Sequence, residues 1–128
     1  MKSYILLIKC KTDTTIRTKS KKFLIRKGVY AYVGSCGRSC GRRVSRHFNK
    51  EKSNYHWHID YLTKACEPIG VFVMNHVGEK ELALLFSKNN AFIEEFGSSD
   101  DKDAKSHLFI VNDLQELCST VCDKSRER

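Results

Sequence analysis

Proline is almost missing from this chain, with one residue in 128, and glycine is modest at seven. So few backbone breakers leave little room for a disordered linker. Neither an internal repeat nor a low-complexity run is present. No apolar run approaches the roughly 18 residues that a membrane-spanning helix needs, so no membrane partner is expected. The apolar stretch Tyr4-Ile5-Leu6-Leu7-Ile8 is short, and Lys9, Lys11 and Arg17 follow it with no small-residue cleavage site. It reads as a strand rather than a secretory leader, so a cytoplasmic protein is expected. Six cysteines stand at 10, 36, 40, 66, 118 and 122, none with the C-x-x-C spacing favoured by structural zinc. A domain of this size without a secretory signal needs no disulfide staples, so free thiols are expected.

Acidic residues are scarce at the start. Residues 1–53 hold 15 Lys or Arg against Asp13 and Glu51, and the remainder holds 8 against 13. The formal charge of +8 is therefore split into about +13 and −5. Such an asymmetric field attracts polyanions, and counterion release drives nucleic-acid binding. A solvated, solubilising surface is the plainer alternative.

With 41% apolar and 30% charged residues, the composition is that of a soluble globular domain able to close one core. Strands are predicted at 4–10, 14–18, 23–25, 29–34, 69–74 and 107–111. Helices are predicted at 41–49, 57–66, 79–88 and 114–122, the last capped by Asp113, and 91–96 reads as a further helix or a continuation. Val44 and Phe48 should face inward from the first helix, Ile59 and Leu62 from the second, and Leu82, Leu85 and Phe86 from the third. Pro68 marks a break. The expected fold is α+β: one domain over residues 1–122, a small, mostly antiparallel sheet flanked by helices, and a charged tail at 123–128 that frays.

Strand alternation over 29–34 puts Tyr30, Tyr32 and Gly34 on one face and Val29, Ala31 and Val33 on the other. Gly34 lets another backbone or a phosphate come close as the strand enters a Gly/Ser-rich loop. Arg38 follows, then Arg42, Arg43, Arg46 and His47. On a helix Arg43, Arg46 and His47 share a face. Phenols beside guanidinium and imidazole groups can grip a phosphodiester and move a proton.

Tyr32-Val33-Gly34, followed by Arg43-Val44-Ser45-Arg46-His47-Phe48, resembles the "YIG" strand and the arginine helix of GIY-YIG nucleases. Lys2-Ser3-Tyr4 stands for the "GIY" half, on a separate neighbouring strand. The blocks from His56 to Leu62, Glu79-Lys80-Glu81-Leu82-Ala83, Gly97-Ser98-Ser99-Asp100 and Ser106-His107-Leu108-Phe109 resemble, more narrowly, the DUF123 branch. That branch occurs alone or fused to endonuclease III-type DNA glycosylases. Lys2 departs from the family's glycine, and Lys80, Asp101 and Asp103 stand where that branch carries cysteines.

The resemblance implies a GIY-YIG-like fold and an endonuclease that uses one Mg²⁺ or Mn²⁺ to hydrolyse phosphodiester bonds, DNA ahead of RNA, with a link to DNA repair. It implies that Tyr32 or Tyr4 helps activate water, Arg43 stabilises charge on the phosphate and His47 assists proton transfer. Glu79 is the first choice of metal ligand and Glu81 the second; two apart on a helix, they cannot both reach one site. Arg38, Arg42, Arg46 and Ser35 are expected against the nucleic acid, with Tyr30, His56, His58 and Asp60 as accessory candidates. As a transition-metal set, the two histidines and the aspartate would need a strand to share a face. Two alternatives stay open: a catalytically silent nucleic-acid-binding module, and an adaptor that recruits a DNA-repair protein.

Overall fold

The computed structural model describes residues 2–51, 55, 57–98 and 103–126. In chain order the elements are β1 (Ser3–Cys10), β2 (Thr14–Arg17), β3 (Lys22–Ile25), β4 (Gly28–Ser35), α1 (Cys40–Phe48), α2 (His58–Ala65), β5 (Glu67–Met74), α3 (Glu79–Asn89), β6 (Leu108–Val111) and α4 (Leu114–Ser125). Four strands form one antiparallel sheet in the order β5-β1-β4-β6, while β2 and β3 pair as a separate hairpin. The fold is α+β. No described helix is long and apolar enough to cross a membrane.

β1 lies between β4 and β5, which is why its residues are apolar on both faces and all but Lys9 are buried. Its alternation, with that of β4, divides the interior in two. Tyr4, Leu6, Ile8, Tyr30 and Tyr32 pack on one face with Ile59 and Leu62 of α2 and Phe96. Ile5, Leu7, Ala31 and Val33 pack on the other with Leu82 and Phe86 of α3 and Leu117 and Val121 of α4. The phenol face and the valine face of β4 are thus separate layers.

Several expectations are corrected. Residues 91–96 are not a helix: 91–93 lie extended beside β6, with Ile93 N–H donating to the Leu108 carbonyl at 3.0 Å and Ile110 N–H to that of Ala91 at 2.8 Å, and 94–96 form a turn in which Glu95 takes a φ of 62°. Phe92 and Phe96, four apart, mimic a helical stripe, yet the turn between them sends them into opposite cores, with Phe92 bridged to Phe109 of β6. Pro68 lies inside β5 opposite Ile8, allowed because β5 is an edge strand and the register slips there. Phe48 is 46% exposed; Val44 and His47 form the inward side of α1 instead. α4 runs on to Ser125, past the expected end at residue 122, and Lys124 is held by Glu81 at 2.6 Å.

The thiol expectation is overturned for four of the six cysteines. Cys10 is bonded to Cys66, and Cys36 to Cys40, leaving Cys118 and Cys122 free. The first pair is 56 residues apart and meets because Lys9 and Glu67 are partners across β1 and β5. The second forms across a tight loop in which Gly37 takes a left-handed φ of 57°. Spacing alone reports neither encounter.

Candidate active site

Antiparallel pairing sets Tyr4 of β1 directly opposite Gly34 of β4. The Tyr4 ring lies across that glycine so closely that a β-carbon would overlap the phenol. The close approach expected at Gly34 is therefore made by a neighbouring side chain. The Tyr4 hydroxyl is 2.6 Å from His47 Nε2, and both residues are buried. Tyr32 completes an aromatic triangle, its ring centroid 6.4 Å from that of Tyr4 and 6.1 Å from that of His47. Burial pushes the Tyr4 phenol well above its ordinary range. Arg43 pulls the other way, and Glu79 and Asp60 add to the rise. Tyr4 therefore keeps its proton at neutral pH.

The cations come from α1. Ser39 caps this helix, its hydroxyl accepting from Arg42 N–H at 3.3 Å. Arg42 and Arg43 then fill a first turn that holds no acid, against the preference of the helix dipole for anions there. A local rule is broken, as is common where function competes with stability. The Arg43 guanidinium donates to the Ser35 carbonyl at 3.0 Å and lies over Gly37, where a β-carbon would come within 2.7–2.9 Å of it. Arg46 is gripped by Asp60 of α2, with contacts of 3.0 and 3.3 Å.

Glu79, the first residue of α3, reaches the same place from the other layer. Its carboxylate is 3.7 Å from His107 Nδ1, which is also 3.3 Å from the Val33 carbonyl. Glu81 is turned to Lys124 and does not line the cleft, as two residues on one helix require. A cleft of about 380 Å³ is lined by Tyr4, Tyr32, Gly34, Ser35, Arg42, Arg43, Arg46, His47 and Glu79, together with Trp57, Ile59 and Gly97. Residues from β1, β4, α1 and α3, far apart in the chain, thus meet.

Other candidates lie elsewhere. Arg38 is exposed on the loop before α1, outside the lining. The Tyr30 hydroxyl donates to the Arg26 carbonyl at 2.6 Å, a structural role. His58 Nδ1 accepts from Gly97 N–H at 2.9 Å and its ring packs on Phe23 and Phe96. Asp60 is fully buried between Arg46 and the backbone N–H of Trp57. His58 and Asp60 belong to a helix, serve different neighbours and do not form a transition-metal set; His56 lies outside the described residues. Among the described residues no three His, Cys, Asp or Glu side chains gather as a metal cluster. Among the described residues Glu79 is the carboxylate that lines the cleft, and its side chain is 30% exposed. One such group suits a hard divalent cation that takes its remaining ligands from phosphate and water.

Trp57, Ile59 and Gly97 were not foreseen in the lining. Trp57 and Ile59 read as ordinary helix-start residues, and Gly97 as part of a polar loop. The signal that could have drawn attention to Trp57 is its standing as the chain's one tryptophan.

No curated protein and no solved structure matches this chain. A family model described as a domain of unknown function, DUF123, matches residues 3–128, and the chain belongs to that family.

Proposed function

We propose that this protein is a GIY-YIG-type endonuclease that hydrolyses phosphodiester bonds in nucleic acid with one Mg²⁺ or Mn²⁺. The observation that supports it is the meeting of Tyr4, Tyr32, Arg43, His47 and Glu79 around one cleft. Arg42 and Arg43 offer forked donors to phosphate oxygens, and Arg43, already anchored on the Ser35 carbonyl, is pre-oriented. Tyr4 keeps its proton and is the orienting partner of His47; when it donates to Nε2, it holds the imidazole in one tautomer. Tyr32 is the phenol assigned to assist an attacking water. Glu79 would hold the cation, which when bound polarises the phosphate and lowers the pKa of water.

The test is nicking of supercoiled plasmid and branched DNA, DNA being the first substrate to try, with Mg²⁺ or Mn²⁺ and with EDTA. Metal-dependent nicking is expected to fall at least about 100-fold in Tyr32→Phe, Arg43→Ala and Glu79→Gln, the usual scale for loss of one acid–base or charge-stabilising group. Nicking that survives all three changes would refute the proposal. Salt-sensitive binding without turnover would leave the silent binding module, and absence of any nucleic-acid affinity would leave the adaptor.

A further inference from the structure

Trp57 is 58% exposed although it is the largest side chain lining the cleft. More than half of this indole is open to water, beside three guanidinium groups rather than in the core. Its position is nevertheless well defined. Trp57 is the N-cap residue of α2, and its backbone N–H donates to Asp60 Oδ2 at 3.1 Å. Asp60, fully buried, also binds Arg46, so one carboxylate fixes both an arginine of α1 and the root of the indole. The cleft thus presents a flat π-surface, rooted on an anchored stretch of main chain, beside groups that suit phosphates.

We infer that Trp57 is a stacking platform for an unpaired nucleobase next to the phosphate held by Arg42 and Arg43, so that the substrate class is single-stranded or locally unpaired nucleic acid. This deepens the function proposed above and rests on it. In an intact duplex the base faces are hidden in the stack and only phosphates and groove edges are presented, so arginines alone would read duplex and single strand alike. An exposed aromatic face adds affinity only where a base is free to lie on it. Stacking is tolerant of base identity, because every base has a π-face.

The chain's one tryptophan makes the test direct. The intact chain is titrated in EDTA, which prevents cleavage, with a fluorescent thymidine oligonucleotide, a blunt duplex of equal length and an abasic version of the single strand. Anisotropy and intrinsic fluorescence are read together. The single strand is expected to bind and quench Trp57, with the abasic strand quenching far less. Trp57→Ala is expected to weaken single-strand binding about 5- to 150-fold, the affinity equivalent of one stacked base. Trp57→Phe should retain most of the affinity, and duplex binding should be unchanged in both variants. Equal losses for strand and duplex, or salt-sensitive binding without quenching, would overturn the inference and leave the proposed function standing. Absence of salt-sensitive binding to all three probes, both in EDTA and with Ca²⁺ in its place, would overturn both.

Discussion

Gly34→Ala is the sharpest probe of how β1 and β4 build the cleft. A β-carbon at this position would overlap the Tyr4 ring, so the phenol must shift out of its packing for an alanine to fit. Tyr4 is 4% exposed, and its hydroxyl is engaged by His47. Forcing a methyl group into such packing costs about 1–3 kcal/mol. Displacing the phenol from His47 adds about 1 kcal/mol, the net worth of an ordinary hydrogen bond. A total of about 2–4 kcal/mol is a sizeable part of the roughly 5–15 kcal/mol that holds a domain together. With a urea m-value of about 1–3 kcal/mol/M, the midpoint should fall by roughly 1–2 M. The decisive measurement is a double-mutant cycle. In a Tyr4→Leu background the ring is gone, and Gly34→Ala should cost less than about 1 kcal/mol. In Tyr4→Phe the ring remains, so the full steric cost should persist. The cycle subtracts the separate effect of altering Tyr4. If Gly34→Ala costs the same in all three backgrounds, the overlap is not what makes glycine necessary.

Three further outcomes are expected. Asp60→Ala should lower stability by about 2–3 kcal/mol, somewhat under the cost of breaking a fully buried ion pair, because Arg46 is 34% exposed and can rehydrate; a loss below about 1 kcal/mol in urea unfolding would contradict the clamp. Thiol titration of the unfolded, unreduced chain should find two reactive cysteines, rising to six after reduction; six before reduction would exclude both bonds. His58 has its pKa lowered by burial and then by the charge of Lys21, so its folded value lies below the unfolded one. The unfolded chain therefore binds the proton more readily, and the stabilisation is complete above about pH 6.5 and lost as pH falls through the depressed folded value. Urea midpoints taken downward from pH 7.5 should decline more in the wild type than in His58→Gln; parallel curves would remove His58 as the cause.

The strands and helices were largely legible because this chain's local signals agree with its fold. The alternation of Val29 to Gly34 separates the two cores as a strand must, and Asp113 caps α4 with bonds to Gln115 and Glu116 N–H. The failures occur where a pattern has two solutions. Phe92 and Phe96 satisfy a helical stripe, but 91–93 pair beside β6 and the turn at Glu95 then swings Phe96 to the other core, a solution that the spacing does not report. Phe48 was read as core by hydrophobicity, but the inward position went to His47, whose imidazole has Tyr4 as a partner. The cysteine pairs depend on register and a loop turn, which spacing does not encode. Around the cleft, the family resemblance supplied Tyr4 and Glu79, and residue chemistry singled out Tyr32, Arg43 and His47. It could not tell that Asp60 is a clamp, because a carboxylate reads alike whether it meets a metal or a guanidinium.

That distinction bears on why hydrolysis is preferred over silent binding as the proposed function. Asp60 accepts from Arg46 and from the Trp57 backbone, so a cation at Asp60 would have to displace a guanidinium already in place. Its charge offsets that of Arg46, leaving Arg42 and Arg43 as the guanidiniums of the lining without such a buried counter-ion. Glu79 serves its own helix as a first-turn acid and lies 3.7 Å from His107 Nδ1, but in that cleft its charge does not help a module that only holds polyanions. A negative charge there repels phosphate and weakens the counterion-driven affinity that such binding depends on. Glu79 is nevertheless in the lining, partly exposed, and adds to the rise of the Tyr4 phenol. That repulsion of phosphate becomes attraction if a divalent cation arrives with the phosphate and is shared between it and Glu79. Glu79→Gln therefore separates the two cases by sign: it should strengthen metal-free oligonucleotide binding while abolishing metal-dependent nicking, whereas a silent binder would show the gain alone.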